Sequence, residues 1–157
     1  MQLENIGSNP CVVCGPANPV GLRLRFASAP DGATAEFLVD ARWQGFPGRL
    51  HSAILYLALV ETLNWSLYAR TGRMGLPERT SALRMTRRVG VGDALVLRGR
   101  VARSAPGSAT VEAEATMPAG EAVGSLDRDY AMVDEATFLA RMGYDALPEG
   151  YEGLFGP

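Results

Sequence analysis

One segment constrains this chain more than any other. His51 to Thr71, HSAILYLALVETLNWSLYART, carries apolar side chains on almost every side of a helix rather than along one stripe. Such a helix has no face suited to water, so other structure must wrap it. It is expected to open at His51 and to end near Gly72, a residue suited to a left-handed stop. Its uninterrupted apolar run, Ile54 to Val60, is far too short to cross a bilayer and is closed by Glu61.

The flanking segments are the material that can wrap it. LRLRF sets Leu22, Leu24 and Phe26 against Arg23 and Arg25, the alternation of a strand with one buried face. A turn at APDG leads to ATAEFLVD, its expected hairpin partner. ARWQGFPGRL reads as a loop, because Pro47 and Gly48 interrupt regular structure. After a second loop, RMGLPE, come four strand-like segments: RTSALRMTRRV, DALVLRGRVARS, SATVEAEATM and EAVGSLDRDYAMV. They are punctuated by VGVGD, APG and PAGE. The third alternates most cleanly, with Val111, Ala113 and Ala115 against Glu112 and Glu114. DEATFLARMG is expected to form a short closing helix between an Asp134 cap and a Gly143 stop. Residues 1–20 read as an ordered loop, and residues 144–157 as a Gly- and Pro-rich tail. The class is therefore α+β: an antiparallel curved sheet of about five to six strands around one long central helix, with a short C-terminal helix, in a single domain over 1–157. One sheet and one helix leave edges and helix ends uncovered, which invites a second subunit.

Bulk properties narrow the function. The chain has 157 residues, 47% hydrophobic and 20% charged, enough for one core without a disulfide or metal. A net charge of −2 supplies no field for non-specific nucleic-acid binding. The N-terminus MQLENIGSNP has neither the basic nor the apolar part of a signal peptide, so a soluble, cytoplasmic protein is expected. In a reducing compartment Cys11 and Cys14 are not expected to form a structural disulfide. Their spacing is that of a zinc knuckle. With one His and no further Cys in the chain, however, a four-ligand site would need two chains, so no metal is expected and a tight turn is the simpler reading.

Four pieces, CVVCGPANPVGLRLRF, QGFPGRLHSA, TSALRMTRRVGVGDALVLRGRV and GEAVGSLDRDYAMV, occur in the order and spacing of a known family over residues 11–140. Together they resemble the hot-dog-fold acyl-CoA thioesterases related to the phenylacetate-pathway enzymes, in a branch with an N-terminal CxxCG. The resemblance implies a homodimer or dimer of dimers, an active site between two subunits and an acyl-CoA or acyl-carrier thioester as substrate. No cofactor is implied beyond the coenzyme A that forms part of the substrate. The chain departs from the pattern at two points. The family's His-Gly-Gly reads His51-Ser52-Ala53 here, and its usual acid, nine positions after that His, is Val60; the carboxylate comes one residue later, at Glu61.

Thioester hydrolysis needs a polarised carbonyl and an activated water. The amides of Ser52 and Ala53, at the start of the helix, are candidate donors to the carbonyl oxygen. Glu61 is the candidate general base or nucleophile; its other reading is an interface residue or a partner of an Arg. Asn64, four residues after Val60, is suited to orient water or to satisfy a backbone group. His51 is a candidate base without a visible orienting partner, or a residue that shapes the loop-to-helix junction. The resemblance places Gln44 beside the thioester. Arg87 and Arg88 are candidates for the CoA phosphates, though neighbours on a strand face opposite ways. Asp127, Arg128 and Asp129 read as an internal salt bridge in preference to the sign of an altered pocket. A non-hydrolytic hot-dog protein that binds an acyl thioester remains open, because of Val60. A hydratase is disfavoured by the lone His51.

Overall fold

The computed structural model describes residues 1–156. Strands β1 (Ala27–Ala29) and β2 (Gly32–Leu38) form a hairpin about the expected turn, with a first strand that begins after LRLRF, and a 3-10 turn spans Ala41–Trp43. The long helix α1 runs from Ser52 to Thr71. It is followed by β3 (Leu76–Thr80), β4 (Arg84–Met85), β5 (Ala94–Ala105), β6 (Ser108–Thr116), β7 (Ala122–Ala131) and the closing helix α2 (Glu135–Met142). All pairings are antiparallel, in the order β1-β2-β5-β6-β7-β3, with β4 also on β7. α1 packs chiefly on β5, β2 and β6. No helix among the described residues is long and apolar enough to cross a membrane.

Local chemistry accounts for the helix ends. His51 is extended (φ −70°, ψ 131°), and its ring accepts the Ala53 amide as an N-cap. Gly72 ends α1 in the left-handed region at φ 66°. Asp134 and Gly143 cap α2 in the expected way. Leu55, Ala58, Leu59, Thr62, Leu63, Ser66 and Leu67 recur at helical spacing and form the face of α1 buried on the sheet. The helix sits close at Ser66, whose hydroxyl donates to Thr62 O and accepts the Ala33 amide. A Cβ at Gly99 would collide with that hydroxyl, so glycine sets the approach distance there.

Three expectations need correction. LRLRF is not a strand: Leu24 and Phe26 are buried and Arg23 and Arg25 exposed, as the alternation requires, but Arg23 is left-handed at φ 56°. The amides of Leu22 and Leu24 bond to Val12 and Val13 carbonyls, both at 2.9 Å, so this stretch pairs with the CxxC loop instead of the sheet. RTSALRMTRRV divides into the end of β3 and the two-residue β4, with a register shift at Pro77/Arg79, and Arg87 and Arg88 fall beyond β4. The sheet thus has seven strands rather than five to six, the excess being the short β1 and β4. Finally, within one chain α1 is covered by the sheet and, around Glu61 and Trp65, by the N-terminal loop, but not all round; Tyr56, Leu57, Val60, Trp65 and Tyr68 are half-buried.

Candidate functional site

Two places on α1 gather the candidate residues. The first is its amino end. His51, Ser52 and Ala53 are all exposed although the helix behind them is core. The His51 amide donates to Trp43 O at 2.9 Å, and Gln44 bridges to Leu50, which folds the WQGFPG loop back beside the helix start. The His51 ring lies against Gly45, where a Cβ would be in its way. Its Nδ1 accepts from Ala53 N–H at 3.0 Å, so a neutral ring carries its proton on the outward Nε2. The Ala53 amide is therefore taken, and among the described residues no acceptor holds the Ser52 amide. Gln44 Oε1 accepts the Gly48 amide at 3.0 Å, leaving its amide hydrogens outward. This end offers donors: the Ser52 N–H, the His51 Nε2–H and the Gln44 NH2.

The second place is the middle of α1, facing the N-terminal loop. Cys14, buried, stands 2.8 Å from Glu61 Oε1 and donates to it. Asn64 Nδ2 donates to Glu61 Oε2 at 3.2 Å, and the buried Tyr130 hydroxyl donates to Asn64 Oδ1 at 2.7 Å. Interaction with the neighbouring Cys11 thiol, burial and the Glu61 charge all push the Cys14 thiol up. The neighbouring Cys14 thiol, helped by the Cys14 and Val13 amides, brings Cys11 down to about 6. Burial raises the Tyr130 phenol. Glu61, Asn64 and Cys14 line an open cavity of about 110 Å³ together with Trp65, Tyr68, Met74 and Tyr151. Phe26 stacks on Trp65 at 5.6 Å, which fixes one wall.

The structure thus brings Glu61 and Asn64 together, and Gln44, His51, Ser52 and Ala53 together, as two separate groups on α1. Val60, half-buried, is turned about 100° from Glu61. Arg87 and Arg88 are both exposed, Arg87 lying 3.6 Å from Glu121. Asp127 and Asp129 do not pair with Arg128 in an internal salt bridge: both face solvent and pair with Arg79 of β3, at 3.0 and 2.8 Å, while Arg128 donates to the Thr80 hydroxyl. Sequence reasoning missed the partnership of Glu61 with the cysteines. An acid interrupting an apolar helix and a CxxC in a loop were each visible, but nothing local joins them across 47 residues. A larger depression of about 750 Å³ crosses the sheet at Arg98, Arg100, Glu112, Glu114 and Asp127, away from both groups on α1.

No protein-family model and no curated relative matches this chain. Solved structures do. A thioesterase-superfamily protein aligns with a TM-score of 0.70 at 20% identity, over 77% of this chain and 62% of that one, so the match leaves more than a third of the longer relative uncovered. The PaaI protein of the E. coli phenylacetic acid degradation operon aligns with a TM-score of 0.62 at 15% identity, over 70% of this chain and 83% of that one. A hypothetical thioesterase from Streptococcus pneumoniae, crystallised with coenzyme A, gives 0.62 at 14% identity, over 69% and 86%. At such identities the likeness establishes the fold: this chain has the hot-dog fold of the thioesterase-superfamily structures.

Proposed function

We propose that this hot-dog protein is an acyl-thioester hydrolase acting on an acyl-CoA, as a homodimer or dimer of dimers. The observation that carries the reading is the open amino end of α1: a core helix whose first turn is exposed and whose Ser52 amide has no acceptor among the described residues. A helix start concentrates free N–H groups and the positive end of the dipole, which suits an oxygen gaining negative charge. The outward His51 Nε2–H and the Gln44 amide add donors of the same kind. In this reading water attacks the carbonyl carbon, the oxygen takes up charge against those donors, and the thiol leaves. Glu61 of a facing helix is the carboxylate suited to take the proton from water. The half-buried outer face of α1, with Tyr56, Leu57 and Val60, is where a second subunit would lie. Exposed Arg87 or Arg88 would meet the CoA phosphates. A CoA-bound neighbour of the same fold supports coenzyme A as the carrier.

A second reading, binding of the acyl thioester without hydrolysis, is favoured by one observation. Both Glu61 oxygens are already engaged, by Cys14 and Asn64, and the position before it is Val60. Assaying thiol release across aryl- and medium-chain acyl-CoAs, alongside calorimetric binding of a non-hydrolysable analogue, separates the two. Turnover that falls at least ~100-fold in Glu61→Ala supports hydrolysis with Glu61 as base. Binding without turnover supports the second reading, and neither binding nor turnover overturns both.

A further inference from the structure

We propose that Cys11, Cys14 and Glu61 form a binding site for a zinc-class transition-metal ion with one coordination position open. Each residue supplies one donor atom, and the two sulfurs and the carboxylate oxygen all lie within 4.8 Å of one another. A tetrahedral zinc ion holds thiolate at ~2.3 Å and carboxylate at ~2.1 Å, which spaces such donors ~3.6–3.8 Å apart. Cys14 Sγ and Glu61 Oε1 are now 2.8 Å apart, so an ion needs that pair to separate by under about 1 Å.

The surroundings are built to hold these donors. The CxxC turn is too tight for any residue but glycine at Gly15, where a Cβ would collide with Asn9 and Cys11 backbone. It aims the Val13 N–H at Cys11 Sγ, 3.4 Å away, while Asn9 Nδ2 lies 3.9 Å from Cys14 Sγ. N–H groups directed at sulfur offset the charge of metal-bound thiolates. The free carboxylate oxygen is held by Asn64, and Asn64 in turn by Tyr130, so the third ligand is oriented by a second layer of partners. Two soft sulfurs with one carboxylate suit zinc or cobalt and not the all-oxygen shells of magnesium or calcium. The cavity of about 110 Å³ beside Cys14 and Glu61 has room for a water at the fourth position, a liquid water occupying ~30 Å³.

Loading balances simply. The divalent ion displaces whatever protons the two thiols still hold, chiefly that of Cys14 near neutral pH, which pass to solvent; two metal–sulfur bonds form, and the carboxylate joins by coordination. The expectation of no metal assumed that four ligands were needed and that a second chain must supply some. Three ligands suffice for an open site, and Glu61 brings the third from within the same chain. The inference shares Glu61 with the proposed hydrolysis, and an ion bound there would occupy that base; its readout is metal content and spectroscopy, so the two readings fail separately.

The test uses the full chain, reduced with a phosphine and titrated with Co²⁺. One equivalent is expected to produce a thiolate-to-cobalt charge-transfer band and tetrahedral visible bands, and Zn²⁺ should displace it one for one. Cys11→Ser and Cys14→Ser should lose the charge-transfer intensity. Glu61→Gln, which keeps both thiols and the bond from Asn64, should weaken Co²⁺ binding at least ~10-fold. Far-UV circular dichroism identifies any variant that fails to fold. Should Cys14→Ser fail, protection of both cysteines from alkylation by one Zn²⁺ in the wild-type protein carries the same decision. A folded, reduced wild-type protein without the charge-transfer band overturns the site, as does Glu61→Gln with unaltered affinity. Inactivity of the metal-free protein toward acyl-CoA would remove only the thioesterase reading.

Discussion

The two groups on α1 differ in almost every physical respect. At the amino end the side chains are exposed, the groups offered are hydrogen-bond donors, and one imidazole cap organises them. At the midpoint the groups are half-buried or buried, the chemistry is that of a carboxylate and two sulfurs, and each oxygen of Glu61 already has a partner. The first region suits an arriving electron-rich oxygen. The second suits a cation, or a structural tie between the N-terminal loop and the helix. The contrast teaches that the acid and the carbonyl-binding donors do not share one pocket within a single chain. Catalysis would require a second chain to bring them together, whereas metal binding would not.

Ser52→Pro breaks the contrast most sharply. Proline is tolerated at the first helical position and fits the extended His51 before it, so the fold should survive while the open N–H is lost. Acyl-CoA turnover should drop ~10²–10³-fold, read as kcat with an unchanged denaturation midpoint. Unaltered turnover would show that the amino end does not bind the carbonyl.

Tyr130→Phe probes the midpoint. It strips the hydrogen bond from Asn64 Oδ1 in a buried setting, and the orphaned acceptor should lower stability by ~1–3 kcal/mol in urea unfolding. If amino-end chemistry is separate, ligand affinity should hold. His51→Ala removes the cap and should lower stability by ~1 kcal/mol, with His51→Asn recovering most of it.

The smallest effect lies away from both regions. Thr110 and Arg79 hold the Asp129 carboxyl below its usual range. A depressed carboxylate adds stability above its unfolded value of ~3.9 and loses it as pH falls through the folded value. Urea midpoints from pH 7 down to acid should therefore fall less steeply in Asp129→Asn than in the wild type. The pair is solvent-exposed, so the difference should be small.

Much of the fold was legible because its signals are local. Alternation in Val111, Ala113 and Ala115 named the buried face of β6, and all three are buried. Asp134 and Gly143 marked both ends of α2. Leu22–Phe26 misled for a reason that is also physical: alternation reports which side chains are buried, not which backbone they bond. Here the partner is the Val12–Val13 loop. The candidate site was legible residue by residue and not as groups. The spacing of His51 from Glu61 along a helix says how far apart they lie, not what loop arrives beside either.

The chain's own pattern determined that a long apolar helix would be packed by an antiparallel meander, because periodicity and caps act over a few residues. Only the tertiary structure decided that Glu61 belongs to Cys11 and Cys14, and that His51 spends its Nδ1 on Ala53 rather than on substrate. Partners of that kind are chosen by where the folded chain returns in space, and distance along the sequence carries no record of it.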